Sequence, residues 1–316
     1  MARKIILDCD PGHDDVMAIL LAHGNPEIEL VAITTVAGNQ TLDKTSLNAR
    51  RVCTVAGIRD VPVAAGCDRP LIRELKTAAY IHGESGLDGP SFGEPTVPLD
   101  PRHAVDVITE SLMHSSGDIT LVPTGPLTNI AMAVRKDPRI VEKVQEIILM
   151  GGAYTRGNTT PAAEFNIAAD PEAAAIVFTA GWPLTMVGLD LTHQALATPA
   201  VLERIAALRT PVARIAVQLM EFFGQTYRRN SGFDSPPVHD PCAVARVIDP
   251  KVMHCVDAFV AIETRGDFTS GMTVTDFSSR LGPTNAQVAT KLDINLFWDL
   301  MVDAIERIGA PAVRAS

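Results

Sequence analysis

Short apolar runs alternate with amphipathic segments along most of the chain. The first run, residues 5–7, predicts a buried strand ending near Asp10, where Pro11-Gly12 turns the chain into a helix over 14–22. Similar runs predict strands over 28–36, 61–65, 118–122, 147–150, 184–189, 256–263 and 272–276. Helical periodicity and cap residues predict helices over 42–56, 101–114, 171–179 and 295–308. Further helices are predicted to end at 134 and at 247, and helical segments continue to about 229.

The repeated order of strand and helix is typical of an α/β fold, and we predict a largely parallel central sheet flanked by helices. No linker, repeat or break in composition interrupts the sequence, so we expect a single domain over residues 1–316. Three polar segments, 66–100, 151–170 and 230–238, are predicted to be loops. The first is long enough to suggest a functional or mobile loop.

Four of the predicted strands end at candidate site residues, which are Asp10, Asn39, Thr124 and Met150. Ligands of open α/β sheets bind beyond the carboxyl ends of the strands. We therefore expect these four residues to converge on one crevice.

The composition is that of an ordinary globular protein, with 47% hydrophobic and 20% charged residues. A net charge of -10 argues against nucleic acid as the main partner and favours a neutral or cationic small ligand. The five cysteines have no C-x-x-C spacing, so we interpret them as reduced core thiols. The apolar run before Asp8 is too short for a signal peptide, and no run approaches membrane-spanning length. We therefore expect a cytoplasmic protein without membrane contact.

Four carboxylates without a lysine or arginine lie close together at Asp8, Asp10, Asp14 and Asp15. Like charges at this spacing raise one another's pKa and oppose folding unless a cation neutralises them. A set of carboxylates is the ligand chemistry of a hard divalent cation, although the spacing is not that of an EF-hand. The stretch therefore predicts a metal site. The simpler interpretation is a polar loop whose aspartates cap the following helix.

Further candidates lie outside this stretch. His239 follows a long polar loop and could transfer protons, whereas the adjacent Asp240, followed by proline, is by itself an ordinary helix start. The even spacing of Asn158, Glu164 and Asn166 suits sugar hydroxyls. Two interpretations, core packing and pocket lining, are open for Met150, Phe165 and Tyr227.

Taken together, these motifs resemble those of the nucleoside hydrolases, a family of ribonucleoside N-glycosidases. Residues 8–15 resemble the family signature D-x-D-P-G-x-D-D. Six further motifs follow in the family's order, at 36–40, 81–87, 123–129, 149–153, 163–167 and 237–241. The resemblance implies a single Rossmann-like domain, assembled as a homodimer or homotetramer.

The resemblance also implies the chemistry of the site. It assigns Ca²⁺ to Asp10, Asp15, Asp240 and the backbone carbonyl of Thr124, with the ion orienting the ribose hydroxyls and lowering the pKa of a water. Asp10 would take the proton of that water as it attacks the anomeric carbon. Asn39 would position Asp10 or the water.

On the substrate, the resemblance assigns the ribose hydroxyls to Asp14 and Asn166, and the 5′-hydroxyl to Asn158 and Glu164. His239 is implied as proton donor to the leaving base. His82 matches a histidine at the base pocket of pyrimidine-preferring members. Residues 222–237, which face the base in this family, match none of its specificity patterns.

Three hypotheses for the function follow. The leading one is hydrolysis of ribonucleosides to ribose and free base. A haloacid-dehalogenase-type phosphatase is suggested by Asp-x-Asp after a strand, but that family has threonine or valine where Gly12 stands here. The third, a catalytically silent nucleoside-binding protein, is disfavoured by the presence of both Asp10 and His239.

Overall fold

The structure, a computed structural model, describes residues 2–310. The strands within this range are β1 (Arg3–Cys9), β2 (Ile28–Thr35), β3 (Val63–Ala65), β4 (Ile119–Pro123), β5 (Val144–Met150), β6 (Leu184–Val187), β7 (Met253–Ile262), β8 (Thr273–Asp276) and β9 (Ala286–Leu292). The α-helices are α1 (His13–Gly24), α2 (Leu42–Ala56), α3 (Ala79–His82), α4 (Ala104–His114), α5 (Thr128–Lys136), α6 (Phe165–Ala169), α7 (Pro171–Phe178), α8 (Leu189–Thr192), α9 (Pro199–Ala207), α10 (Pro211–Ser231), α11 (Pro241–Ile248) and α12 (Ile294–Gly309). Short 3-10 helices span Pro138–Glu142 and Pro250–Val252.

All these strands form one sheet with the order β3-β2-β1-β4-β5-β6-β9-β7-β8. Strands β1 to β6 are parallel to their neighbours, and β9 continues the parallel arrangement beside β6. Strands β7 and β8 are antiparallel at one end. The prediction of an α/β fold with a largely parallel sheet is therefore confirmed. The predicted domain bounds, 1–316, include residues 1 and 311–316, which lie outside the described range.

Two apolar clusters cover the two faces of the sheet. Along β1, Ile5 and Leu7 belong to the first cluster and Ile6 to the second, as the period-two alternation of a strand requires. Helices α1, α2 and α9 to α12 contribute to the first cluster, and α4, α5 and α7 to the second. Because α1 follows β1 after a short turn, its N-terminus lies at the carboxyl edge of the sheet.

Several predicted boundaries were wrong. Strand β9 was missed because its sequence is poor in strong strand formers, and its pairing with β6 and β7 stabilises it instead. The strand predicted over 184–189 ends at Val187, since Gly188 is the N-cap of α8. The segments predicted to be loops at 66–100 and 151–170 contain α3 and α6.

Within residues 2–310, no helix is both long and apolar enough to cross a membrane. The described chain is therefore organised around one sheet, whose carboxyl edge collects the turns after β1, β2, β4 and β5.

Candidate active site

A cavity of about 350 Å³ opens at the carboxyl edge of the sheet. Most of the residues that the sequence predicted for the site line it: Asp14, Asn39, His82, Thr124, Met150, Asn158, Glu164, Phe165, Asn166, Tyr227, His239 and Asp240. Asp10 and Asp15 do not line it. Both are fully buried, and they contact the lining residues Asn39 and Thr124.

Three carboxylates lie together, those of Asp14 and Asp240 at the cavity and that of Asp15 behind them, each with an oxygen within 4.8 Å of the others. Asp14 and Asp15 lie in the first turn of α1, and Asp240 precedes α11. Asp10 lies beside this set, with its backbone nitrogen 3.3 Å from Asp15 Oδ1. The three closest carboxylates are thus those of Asp14, Asp15 and Asp240. The family resemblance instead assigns the metal to Asp10, Asp15 and Asp240.

Asp10 is fixed at one carboxylate oxygen and unpartnered at the other. The backbone N–H of Asn39 donates to Oδ2 at 2.6 Å. Oδ1 is buried and has no hydrogen-bond partner within the described part of the chain. Gly38 and Gly125 pack so closely that a Cβ would lie 2.1 and 2.7 Å from these oxygens. An unpartnered buried carboxylate oxygen costs free energy, so this position suits a cation or a proton-donating ligand.

Burial raises the pKa of every carboxyl group in the cluster. The pKa of Asp8 and of Asp14 rises to about 7, and that of Asp15 to about 6. The pKa of Asp10 and of Asp240 rises well above the ordinary value, because burial and the neighbouring aspartates both disfavour the charged form. Burial is the larger cause throughout, and repulsion between neighbouring aspartates adds to it at Asp8, Asp10, Asp14 and Asp240.

No lysine or arginine among residues 2–310 forms an ion pair with these carboxylates. No basic side chain of these residues therefore neutralises the carboxylates directly, and the ligand atoms that the cluster offers are all oxygen. A buried group of carboxylates with an unpartnered oxygen fits a hard divalent cation. Asp8 is held differently: its Oδ1 accepts hydrogen bonds from Thr34 at 2.6 Å and Asn129 at 2.8 Å, while its Oδ2 is buried without a hydrogen-bond partner among the described residues.

Thr124 contacts both the carboxylate cluster and Asn166. Its hydroxyl donates to Asp15 Oδ1 at 3.0 Å, a contact that the sequence did not predict. Its carbonyl accepts from Asn166 Nδ2 at 2.8 Å, which leaves one lone pair for another ligand. Asn166 Nδ2 also donates to the Met150 carbonyl at 3.1 Å. The amide nitrogen is thus used within the protein, and Oδ1 is the atom available to a ligand hydroxyl.

Glu164 and Asn158 form the opposite side of the cavity. Glu164 caps α6 by accepting from the backbone N–H groups of Asn166 and Ile167, and it also accepts from Gly152. Burial raises its pKa to about 7. Asn158 Oδ1 accepts from the backbone N–H of Phe165 at 2.9 Å, so the loop before α6 is fixed by its own polar side chains.

Both ring nitrogens of His239 are engaged. Nδ1 lies 2.7 Å from the Thr192 hydroxyl, and Nε2 lies 2.7 Å from the Tyr227 hydroxyl. Its backbone nitrogen donates to Asp14 Oδ2 at 3.3 Å. Burial lowers the pKa of His239 well below its ordinary value, so the ring is neutral. Tyr227, for which core packing was one interpretation, therefore contributes a polar contact to the site.

His82 also lines the cavity, next to Phe223. Its ring stacks on Phe223, and burial lowers its pKa well below the ordinary value. Phe223 also packs edge-on against Tyr227, with the ring centroids 4.7 Å apart. The cavity thus has a polar half near the carboxylates and an aromatic half beside the two histidines.

The sequence analysis did not identify three residues that line the cavity: Tyr80, Arg156 and His193. Four other lining residues, Phe223, Asn230, Ser231 and Phe233, lie within residues 222–237, which the family resemblance placed at the base without singling out individual side chains. His193 follows β6 at the carboxyl edge of the sheet, and that position alone was a usable signal. The aromatic residues of α10 carry the helical periodicity of core residues. Nothing in the sequence separates those that face the cavity from those that face the core.

The fold and the cavity indicate an α/β enzyme with an acidic cluster that could hold a metal ion, beside a pocket lined by both polar and aromatic side chains. The family model of inosine-uridine preferring nucleoside hydrolases matches residues 5–299, and the chain belongs to this nucleoside hydrolase family.

Curated relatives and solved structures support the same family assignment. The chain is 56% identical to the inosine-uridine preferring nucleoside hydrolase of Crithidia fasciculata, over 98% of this chain and 100% of that protein. It is 48% identical to the pyrimidine-specific ribonucleoside hydrolase RihA of Shewanella sp. strain MR-4, with 96% of each chain covered. The structure resembles a purine-preferring ribonucleoside hydrolase from Gardnerella vaginalis, with a TM-score of 0.92, 32% identity and coverage of 97% of this chain and 99% of that one.

The raised carboxyl pKa values predict a pH-dependent affinity for divalent cations. Below pH 6, Asp14 and Asp15 hold protons in the folded, metal-free protein, and a cation must displace them. We expect the apparent affinity for Ca²⁺ to be about tenfold or more weaker at pH 5 than at pH 7.5. Calorimetric titration of chelator-treated protein at the two pH values measures this. An affinity independent of pH would contradict it.

Proposed function

We propose that the protein hydrolyses the N-glycosidic bond of ribonucleosides in a Ca²⁺-dependent reaction, with Asp10 activating the water and His239 assisting departure of the base. The observation that carries this proposal is the unpartnered, buried Oδ1 of Asp10 among the carboxylates at the polar end of the cavity. Family membership and the divided character of the cavity support it further.

For the metal, we propose Asp10, Asp15, Asp240 and the carbonyl of Thr124 as ligands, with Asp14 close enough to contact the ion or a ribose hydroxyl. When bound, Ca²⁺ would supply positive charge to the cluster, orient the ribose diol and lower the pKa of the attacking water. The proposal is supported by the all-oxygen donor set and by the lack of a compensating cation within the described chain.

Asp10 is suited to accept the proton of the water. Asn39 fixes Oδ2, so the carboxylate cannot rotate freely, while Oδ1 stays available. The surrounding carboxylates also stabilise positive charge at C1′ as the glycosidic bond breaks, because the transition state resembles an oxocarbenium ion. Asn166 Oδ1 and Asp14 are placed to accept from the ribose hydroxyls. We assign Glu164 and Asn158 to the 5′-hydroxyl.

The aromatic half would receive the nucleobase between His82, Phe223 and Tyr227, while Met150 and Phe165 line the pocket nearer the sugar. His239 Nε2 lies 2.7 Å from the Tyr227 hydroxyl, so the neutral pair would donate a hydrogen bond to the departing base through this hydroxyl, or from His239 itself after Tyr227 moves. Either route makes stabilisation of the leaving base depend on the pair. A homodimer or homotetramer and a cytoplasmic location, both expected from the sequence, stay predictions.

The test of this function is incubation with inosine, uridine and cytidine, with and without a chelator. We expect free base and ribose from at least one nucleoside, loss of turnover with the chelator, and recovery when Ca²⁺ is added. No base release from any ribonucleoside would overturn the proposal. Phosphate release from nucleotides would favour a phosphatase, and thermal stabilisation by nucleosides without turnover would favour a silent binding protein.

Replacing Asp10 by asparagine removes the proton acceptor and keeps the size of the side chain. We expect Asp10→Asn to lower kcat by about 10³-fold while the protein stays folded by circular dichroism. The exposed Asp60→Asn is the matched control and should retain full activity. Turnover of Asp10→Asn within a few-fold of the wild type would remove Asp10 as the base.

Loss of His239 should matter most for leaving groups that need a proton. We expect His239→Ala to lower kcat by roughly 10²-fold or more with inosine or uridine, and much less with 4-nitrophenyl riboside, whose leaving group departs as a stable anion. Steady-state kinetics with both kinds of substrate measure the difference. Equal losses on both would show that His239 does not act as the acid.

A further inference from the structure

Thr192 is the last residue of α8 and is fully buried. It does not line the cavity, and it lies outside the motifs that identify the family in the sequence. Its hydroxyl oxygen lies 2.7 Å from Nδ1 of His239. This hydroxyl forms no other hydrogen bond with residues 2–310, so its one contact of this kind is with the histidine proposed to assist departure of the base.

The hydrogen of the Thr192 hydroxyl needs an acceptor. A buried hydroxyl hydrogen without one costs free energy, and Nδ1 of His239 is the acceptor within reach. If Nδ1 carried a hydrogen itself, the hydroxyl could only accept, and its own hydrogen would be left unpaired among buried groups. Thr192 is therefore the donor. An imidazole ring keeps at least one hydrogen, so the hydrogen of His239 lies on Nε2.

The position of this hydrogen decides what Tyr227 can do. The Tyr227 hydroxyl oxygen lies 2.7 Å from Nε2 of His239, so it accepts the Nε2–H hydrogen bond. Tyr227 lines the cavity, and its hydroxyl has no second partner in the described part of the chain. Its own hydrogen is thus available to a ligand. With the opposite tautomer, Tyr227 would donate to Nε2 and could offer the ligand only an acceptor.

The backbone around Thr192 is fixed independently of the hydroxyl. The backbone N–H of Thr192 donates to the carbonyl of Gly188 at 3.1 Å, and the backbone N–H of Val238 donates to the carbonyl of Ala195 at 3.0 Å. The second bond holds the residue before His239 against the segment that follows α8. Removal of the hydroxyl alone should therefore leave the fold and the imidazole ring in place.

We propose that Thr192 is a positioning residue, whose hydroxyl holds His239 in the Nε2–H tautomer so that the Tyr227 hydroxyl donates to the departing nucleobase. The donors then follow in one direction, from Thr192 to His239, from His239 to Tyr227, and from Tyr227 to the base. This inference rests on the proposed function, because it needs a base in the aromatic half of the cavity. Of the two routes from the pair to the base, it selects the one in which Tyr227 stays in place.

The first test reads the tautomer and needs no turnover. Long-range ¹H–¹⁵N spectra of the full-length protein labelled with ¹⁵N-histidine report which ring nitrogens carry hydrogen, and His239→Ala identifies the resonances. We expect hydrogen on Nε2 alone in the wild type and a mixture of tautomers in Thr192→Val. Hydrogen on Nδ1 of His239 in the wild type would overturn the proposal, even if the variant failed to fold. An unchanged tautomer in Thr192→Val would overturn it as well.

The second test separates positioning from general stability. Thr192→Val keeps the shape of the side chain and removes its hydroxyl. We expect it to lower kcat for inosine or uridine about fivefold, because the Nε2–H tautomer is less populated and Thr192 no longer polarises the chain of donors. With 4-nitrophenyl riboside, whose leaving group needs no donor, we expect kcat to stay within about 1.5-fold of the wild type.

Two further variants control for loss of the methyl packing and of a buried hydroxyl in general. Thr192→Ser keeps the hydroxyl and should recover most of the wild-type kcat with inosine or uridine. Thr185→Val removes the hydroxyl of a buried threonine in β6 that does not line the cavity. It is the matched control and should leave kcat unchanged with both kinds of substrate.

Equal losses with nucleosides and with 4-nitrophenyl riboside would overturn the positioning role, since the effect would not pass through the leaving base. Failure of Thr192→Ser to recover activity would contradict it too. Failure of the wild type to cleave any nucleoside would instead overturn the proposed function, and the spectra would still decide how Thr192 and His239 share their hydrogen bond.

Discussion

Repulsion between buried carboxylates is the constraint on which the rest of this structure depends. Asp10, Asp14, Asp15 and Asp240 lie at the carboxyl edge of the sheet with raised pKa values and no basic partner within residues 2–310. Such a cluster is unfavourable unless it is protonated or neutralised by a cation. The protein keeps it in place with fixed donors, including the backbone amide of Asn39 and the hydroxyl of Thr124. The cluster therefore lowers the stability of the folded protein, but it leaves the site ready to bind positive charge.

That site depends on close backbone approach as much as on the acids. Gly38 and Gly125 have no side chain to separate the turns after β2 and β4 from Asp10, and Gly12 lets the His82 ring lie on the turn before α1. Side chains at these positions would displace the carboxylates or the histidine. The short turns of a parallel sheet therefore bring acidic, amide and imidazole groups from distant parts of the sequence into one cavity.

The two histidines of the aromatic half are held in different ways. His239 has both nitrogens engaged, by Thr192 and Tyr227, whereas His82 contacts His13 through Nδ1 and its Nε2 has no hydrogen-bond partner among residues 2–310. Because burial keeps both rings neutral, each has a single hydrogen whose position is decided by its neighbours. The neighbouring side chains thus decide which groups the cavity presents to a nucleobase. This fits a family whose members bear names with different base preferences.

The sequence by itself determined the class of fold, because period-two and helical patterns alternate regularly, and it located the acidic cluster, because residues 8–15 are contiguous. It also determined the family, through motifs in a fixed order. Only the tertiary structure decided that Asp240 joins Asp14 and Asp15, that Tyr227 forms a hydrogen bond with His239, and that His13 contacts His82. These contacts join residues that are far apart in the chain or that face one another across helix ends. A local sequence pattern contains no information on which of these residues come into contact. Strand β9 was missed for the same reason, since its neighbours in the sheet stabilise it more than its own residues do.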